Sequence, residues 1–181
     1  VVNIDPHQLG TLAREIVHDN IIRRFILYVP DSYDRNTPTP LLFNFHGYGS
    51  NAEQQMNYGD FRSIADNEGF LILHPQGTRL PSTGSTHFNV GGWTRGSNID
   101  DVGFTNYLIN VISRLYNIDE LKIFSTGMSN GGFMSYELAC KLSARIAGIA
   151  SVTGSMTPDT YDQCVPDRPV TIIQMHGIED T

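Results

Sequence analysis

The sequence predicts an α/β fold in which a mainly parallel sheet carries helices on both faces and an antiparallel hairpin lies at the amino-terminal side. Short apolar segments bounded by glycine or proline alternate with amphipathic stretches, and 40% of the residues are hydrophobic against 17% charged. Buried parallel strands are nearly continuous apolar runs, and alternation of strands and helices is typical of sheets covered on both faces. The length of 181 residues fits a single domain, residues 1–181.

The hairpin is predicted from residues 12–17 and 21–29, because the Asp19-Asn20 pair between these β-prone segments suits a tight turn. Five further strands are predicted at residues 41–45, 70–73, 121–124, 146–152 and 170–173. Helices are predicted at residues 59–67, 101–116 and 130–142. Sheets of this kind bind ligands beyond the carboxyl ends of their strands, so we expect the site there.

Charge and hydropathy exclude two classes of partner. Twelve Lys and Arg against 19 Asp and Glu give a net charge of −7, so the chain lacks the basic surplus that attracts proteins to nucleic acid. No apolar run reaches the roughly 18 residues of a membrane span, and no membrane association is expected. The two cysteines, Cys140 and Cys164, form either one bridge or two buried thiols, which leaves the compartment open.

A serine motif, Gly127-Met128-Ser129-Asn130-Gly131, lies between the strand at 121–124 and the helix at 130–142. This strand-turn-helix setting is the one that a strained nucleophile turn of the G-x-S-x-G type requires. The start of the helix would direct free N–H groups and its positive dipole end toward the anion formed in acyl transfer. The alternative interpretation is a helix cap rich in glycine and serine that has no catalytic role.

A second motif, His46-Gly47-Tyr48-Gly49, follows the strand at 41–45. In this architecture the second donor to the oxyanion comes from this loop, so we expect the main-chain N–H of Tyr48 to act together with that of Asn130. We interpret His46 as a structural hydrogen bonder, because the catalytic base of this fold follows the acid in chain order.

The candidate acid is Asp180, which follows the strand at 170–173, with Glu179 and Asp159 as alternatives. A solvated surface carboxylate is the other interpretation of Asp180. The long segment 79–98 carries Trp93, the only tryptophan, which with Tyr48 and Met128 would form a wall for an acyl group or an aryl ring. Alternatively, Trp93 fastens this segment to the sheet.

Taken together, these motifs resemble those of the polyhydroxybutyrate-depolymerase-like and feruloyl-esterase-like group of secreted α/β-hydrolases, from about Arg23 to the end of the chain. The residues that carry the resemblance are Arg24-Phe25-Ile26-Leu27-Tyr28-Val29-Pro30, His46-Gly47-Tyr48-Gly49, His74-Pro75-Gln76-Gly77, Trp93, Asp100-Asp101-Val102-Gly103-Phe104, Gly127-Met128-Ser129-Asn130-Gly131-Gly132 and His176-Gly177 with Asp180. The resemblance implies that Ser129 is the nucleophile, Asp180 the triad acid, and Tyr48 and Asn130 the oxyanion donors. It also implies a disulfide between the two cysteines and a secreted or periplasmic location.

The sequence departs from the family pattern at the catalytic histidine, which is expected downstream of Asp180. Six histidines are present and all of them precede the acid: His7, His18, His46, His74, His87 and His176. The expectation is therefore a carboxyl-terminally truncated domain that lacks the final strand, the final helix and the base; the other interpretation is a catalytically impaired protein. We interpret Asp100 and Asp101 as residues that cap and charge the following helix.

The function expected from these features is that of a serine esterase acting through an acyl-enzyme on small or polymeric carboxylic esters: polyester oligomers, feruloyl or acetyl esters of polysaccharides, or small esters. No metal and no organic cofactor are implied, because no cluster of ligand residues has the spacing of a metal site. An acyltransferase on the same fold and a non-catalytic binding module are the alternatives. The sequence predicts no oligomeric state.

Overall fold

The computed structural model of the chain describes Asp5 and residues 8–180. The main sheet has seven strands: β1 (Gly10–His18), β2 (Ile21–Val29), β3 (Thr39–Phe45), β4 (Leu71–Pro75), β7 (Ile118–Met128), β8 (Gly148–Val152) and β9 (Thr171–Met175). A two-stranded ribbon consists of β5 (Thr78–Arg79) and β6 (Thr86–His87). The helices are α1 (Ala52–Tyr58), α2 (Arg62–Glu68), α3 (Asp101–Leu115), α4 (Asn130–Lys141) and α5 (Pro158–Asp162).

The order of the strands in the main sheet is β1-β2-β4-β3-β7-β8-β9. The pairs β1/β2 and β2/β4 are antiparallel, and the four pairs from β4 to β9 are parallel. This arrangement confirms the predicted fold class. The hairpin between β1 and β2 turns at Asp19 and Asn20, both with positive φ (50° and 60°), as a tight hairpin turn with right-handed strand twist requires.

Two features of local structure differ from the prediction. The helix predicted at 59–67 corresponds to α2, which begins at Arg62, whereas α1 was not predicted; Asn51 caps α1 through a hydrogen bond from the Gln54 N–H (2.9 Å), and Gly59 ends it. The segment 79–98, predicted as a loop, contains part of the β5–β6 ribbon and a 3-10 turn, Gly92–Thr94. Short elements of this kind have too few residues to show a hydrophobic period.

The core lies between the sheet and the helices that pack on it. Its fully buried side chains include Leu41, Phe43, Leu73, Leu108 and Leu138. A disulfide joins Cys140, in the last turn of α4, to Cys164, which lies beyond α5. Among the described residues, no helix combines the length and the apolar character needed to cross a bilayer.

The two acidic residues at the start of α3 have different roles. Asp100 caps the helix, as expected, by accepting a hydrogen bond from the Gly103 N–H at 2.7 Å. Asp101 is the acidic residue in the first turn of α3, as expected, and it also forms a buried ion pair with Arg23 of β2 at 2.6 Å, which the sequence did not reveal. The Arg23 guanidinium also lies 3.9 Å from the centre of the Phe104 ring, which ties β2 to α3.

Candidate active site

Ser129 lies at the turn between β7 and α4, where its backbone has φ 52° and ψ −116°. The turn is fixed by the Ser129 N–H, which donates to the Val152 carbonyl at 2.8 Å. Close packing excludes larger residues on either side: a Cβ on Gly127 would lie 2.5 Å from the carbonyl carbon of Gly131, and a Cβ on Gly131 would collide with the Phe45 carbonyl. Ser129 itself is half-buried, so its hydroxyl is held at the surface of a rigid turn.

The loop after β3 passes directly beside this turn. A Cβ built on Gly47 would lie 3.7 Å from the Ser129 Cβ and 3.4 Å from the Met128 carbonyl oxygen. The next residue, Tyr48, and the first residue of α4, Asn130, have main-chain N–H groups that donate to no other group within the described residues. The structure therefore places the loop that carries Tyr48 beside the turn that carries Asn130, and the role of the two amides as oxyanion donors stays a prediction.

The side chain of Asn130 has a second function that the sequence did not reveal. It is fully buried, its Oδ1 accepts a hydrogen bond from the Phe88 N–H (2.7 Å), and its Nδ2 donates to the Phe88 carbonyl (3.0 Å). These two bonds fasten the segment that follows β6 to the start of α4. Nothing in the local pattern signals this contact, because the two residues are 42 positions apart.

Trp93 stands at the site with about half of its surface (47%) exposed, so it does not act as a buried plug. Its ring meets that of Tyr48 edge to face at 5.4 Å and that of Phe133 at 6.2 Å. Met128 is half-buried, and its Cε lies beside Gly47. Phe133 was missed in the sequence, although its place four residues after Ser129 puts it one helical turn into α4.

Asp180 lies beyond the end of β9, where its Oδ2 is 3.3 Å from Nε2 of His176. Both side chains are substantially exposed, and His176 also contacts the Gln174 amide at 3.2 Å. No hydrogen bond joins Ser129 to a histidine among the residues that the structure describes, and His7 lies outside them. The structure thus places an acid after the expected strand without joining it to the serine.

Comparisons with known proteins agree with this geometry, although no protein-family model matches the chain. Feruloyl esterase C of Emericella nidulans is 30% identical over 158 residues, which are 87% of this chain and 55% of that protein. Feruloyl esterase B of Piromyces equi is 29% identical over 160 residues, covering 87% of this chain and 29% of that protein. The chain therefore spans about half, or less, of the length of these relatives.

Solved structures share the fold at lower identity. The crystal structure of native pOPH has a TM-score of 0.71 at 15% identity and covers 95% of this chain and 67% of its own. A ferulic acid esterase has a TM-score of 0.64 at 14% identity, and the match covers 80% of this chain and 60% of that protein. The chain has the α/β-hydrolase fold of these structures, and its sequence is similar to those of feruloyl esterases.

Asp159 holds the turn that carries Trp93. Its Oδ2 accepts hydrogen bonds from the Gly92 N–H (2.6 Å) and from Nε of Arg95 (3.0 Å). The bonds from Arg95 and Gly92 lower the pKa of the Asp159 carboxyl. Because these bonds occupy the carboxylate, its geometry favours a role in positioning Trp93 over the role of triad acid. Glu179, the other alternative acid, is exposed.

His46 is buried and forms hydrogen bonds with main-chain groups, which fits its interpretation as a structural hydrogen bonder. Its Nδ1 faces the Gly47 carbonyl at 2.7 Å, and its Nε2 accepts a hydrogen bond from the Gly77 N–H at 2.9 Å. Burial lowers the pKa of His46 to about 4, so the ring is neutral near pH 7. These contacts link the loops that follow β3 and β4.

One group of possible metal ligands occurs within the described residues: His18, Asp19 and Asp100, whose ligand atoms lie within 4.8 Å of one another. Asp19 and Asp100 are exposed, and Asp100 already caps α3. None of the residues predicted for catalysis belongs to this group, and the esterase chemistry described below requires no metal.

Proposed function

We propose that this chain carries the catalytic serine of an esterase that hydrolyses carboxylic esters through an acyl-enzyme. The observation that supports the proposal best is the strained turn of Ser129, with the loop of Gly47 and Tyr48 beside it and two main-chain N–H groups that have no hydrogen-bond partner among the described residues. Relatives of the chain are named feruloyl esterases and a bifunctional acetylxylan esterase/xylanase.

In the proposed reaction, Oγ of Ser129 attacks the ester carbonyl, and the main-chain N–H groups of Tyr48 and Asn130 hold the negative charge that develops on the carbonyl oxygen. The alcohol leaves with a proton, and water then releases the acid from the serine. The proton passes through a histidine base, and Asp180 is proposed to hold this base in the required tautomer.

The acyl group is proposed to lie against the edge-to-face aromatic wall formed by Tyr48, Trp93 and Phe133. Exposed aromatic faces of this kind favour a flat ring, because aromatic pairs gain energy beyond the area that they bury. An aryl ester such as a feruloyl ester is therefore the substrate class that the wall fits best. The substrate esters include polysaccharide esters, in keeping with the names of the relatives.

A secreted or periplasmic location is proposed from the disulfide between Cys140 and Cys164. Structural disulfides form and persist in oxidising compartments and are rare where glutathione keeps thiols reduced. Mass spectrometry of the protein isolated under alkylating conditions from its native source tests this proposal, because free thiols at both positions would contradict it.

The proposed function is tested with a fluorophosphonate probe and two esters, methyl ferulate and p-nitrophenyl acetate, on the full-length protein. We expect one adduct, on Ser129, and hydrolysis of both esters. Ser129→Ala should abolish labelling and lower kcat/KM by about 10³-fold or more. Ser155→Ala, a change at an exposed serine without an assigned role, is the matched control and should leave the labelling and kcat/KM unaltered. A folded protein that is neither labelled nor active would instead be a binding module.

A further inference from the structure

Gln174 lies in β9, the strand that precedes the candidate acid Asp180. Its side chain contacts three groups. Oε1 accepts a hydrogen bond from the Tyr136 hydroxyl of α4 at 2.8 Å, and Nε2 donates to the Gly154 carbonyl at 2.8 Å. Nε2 also lies 3.2 Å from Nδ1 of His176. Both ends of the amide therefore have partners in the protein.

These partners fix the orientation of the Gln174 amide. A carbonyl oxygen can only accept a hydrogen bond, so the atom that faces the Gly154 carbonyl must belong to the NH2 group. The second hydrogen of this NH2 group is available to Nδ1 of His176, which is within hydrogen-bond distance. Nδ1 then acts as the acceptor, and an accepting ring nitrogen carries no proton.

The orientation of the amide selects a tautomer of His176. A neutral histidine has one ring proton, so an accepting Nδ1 places this proton on Nε2. Nε2 is the nitrogen that lies 3.3 Å from Oδ2 of Asp180. Its N–H presents a positive end to the carboxylate, whereas the other tautomer would present a lone pair. Because the two nitrogens face Gln174 and Asp180, His176 supports the candidate acid and does not face Ser129.

The Gly154 carbonyl connects this arrangement to the turn of Ser129. A Cβ built on Gly154 would lie 2.7 Å from the Ser129 carbonyl oxygen, so the loop after β8 packs directly against the serine turn. In the same loop, the Thr153 N–H donates to the Met175 carbonyl at 2.8 Å, which fastens the loop to the end of β9. Gln174 therefore joins the support of the serine turn to the segment that carries the candidate acid.

We propose that Gln174 is a positioning residue of the esterase, which acts through His176 to hold the carboxylate of Asp180 at a fixed place relative to the serine turn. This inference rests on the proposed function, because the carboxylate has a chemical task only if it orients the catalytic base. A displacement of about 1 Å in such a site can lower a rate about 100-fold, so this support matters although it touches no substrate.

The tautomer of His176 is measured without any turnover, by nitrogen-15 NMR of the imidazole rings in the full-length protein at pH 7.5, with His176→Leu to assign the signals. We expect Nδ1 to be non-protonated. In Gln174→Glu the carboxylate can only accept, so Nδ1 should become protonated. Gln163→Glu, the same change at an exposed glutamine beyond α5, is the matched control and should leave the tautomer unaltered. A protonated Nδ1 in the unaltered protein, or an unaltered tautomer in Gln174→Glu, would overturn the inference.

Turnover separates positioning of the acid from general support of the fold. Gln174→Glu should lower kcat about tenfold on methyl ferulate and on p-nitrophenyl acetate, with KM changed less than about twofold, because the acid acts in the chemical step. Gln163→Glu should keep the kcat of the unaltered protein.

A double-mutant cycle identifies the residue through which Gln174 acts. In the His176→Leu background, where the glutamine has no ring to orient, Gln174→Glu should lower kcat by less than about twofold. An equal loss in both backgrounds would show that Gln174 acts only through Gly154, and would overturn the inference. Inactivity of the unaltered protein would contradict the proposed function, whereas an active protein in which Gln174→Glu keeps its kcat would contradict this inference alone.

Discussion

Ser129 adopts a backbone conformation that residues with side chains rarely take, and conformations of this kind cost about 1–3 kcal/mol. The surrounding turn maintains it through the bond from its N–H to Val152 and through a 3.0 Å bond that its carbonyl accepts from the Phe133 N–H. Under the proposed function the strained turn serves the chemistry, because the side chain of Ser129 does not cap α4 and the first amides of the helix stay available to an anion.

The role of some single residues can be predicted from the sequence, whereas the contacts of others cannot. Ser129 and its glycines could be predicted because close backbone approach admits only glycine, and this leaves a fixed spacing in the chain. The contacts of Asn130 with Phe88 and of Arg23 with Asp101 could not, since each joins residues far apart in the chain. A buried polar side chain looks like a surface residue until its partner is known.

Asp180 is expected to be the acid of the triad, and an isosteric change tests it. Asp180→Asn in the full-length protein should lower kcat by about 10³- to 10⁴-fold on both methyl ferulate and p-nitrophenyl acetate, because the amide no longer holds the catalytic histidine in its working tautomer. Far- and near-ultraviolet circular dichroism should be unaltered, since the side chain is exposed. Glu179→Gln is the matched control, and a loss of turnover there with none in Asp180→Asn would move the acid role to Glu179.

Among the elements, the segment between β5 and α3 shows the clearest limit of sequence patterns. Its ribbon strands have two residues each and its 3-10 turn has three, so no periodicity marks them. Their form depends on partners elsewhere: Asn130 holds Phe88, and Asp159 of α5 holds Gly92. The longer elements α3 and α4 were predicted closely, since an amphipathic stripe over three or more turns is a local property.

Because α5 positions the Trp93 turn through Asp159, we expect Asp159→Asn to affect aryl esters selectively. The amide keeps the size of the carboxylate but loses the charge that attracts Arg95, so KM for methyl ferulate should rise about five- to tenfold. For p-nitrophenyl acetate, whose acetyl group is too small to reach the wall, kcat should change less than twofold. Steady-state kinetics on both esters measure the difference.

Asp162→Asn, on the exposed side of the same helix, is the control and should behave as the unaltered protein does. A large and equal loss of kcat on both esters in Asp159→Asn would contradict the positioning role, because this is the result expected for the triad acid. The kinetic pattern therefore separates the two roles of this carboxylate.

At the scale of the whole molecule, the sheet order places the two candidate catalytic loops in adjacent positions. β3 and β7 are neighbours in the sheet although 72 residues separate the end of one from the start of the other (118 − 45 − 1 = 72), and their carboxyl ends present the loop of Tyr48 and the turn of Ser129. The sequence predicted the mainly parallel class of the sheet, and the site at the carboxyl ends of its strands stays a prediction. The sequence did not predict which strands are neighbours, because that order depends on long-range pairing.

The same packing buries histidines, and this makes the stability of the whole molecule depend on pH. Burial lowers the pKa of His46 and of His74 to about 4 in the folded chain, against 6.5 when exposed. The unfolded chain therefore binds more protons between pH 6.5 and 4, and the free energy of unfolding should fall as the pH falls through this range, by up to about 3 kcal/mol for each histidine. Above pH 6.5 both contributions are fully present.

Urea unfolding at pH 7.5, 5.5 and 4.5 measures this dependence. The salt-bridged carboxyl of Asp60, whose pKa is about 2, loses its contribution only below pH 4, so it does not mimic the effect. In His74→Leu the free energy of unfolding should fall between pH 6.5 and 4.5 about half as steeply as in the unaltered protein, because only His46 still contributes. This holds whatever the stability of the variant at pH 7.5. A free energy of unfolding that stays constant from pH 7.5 to 4.5 would show that burial does not keep these two rings neutral.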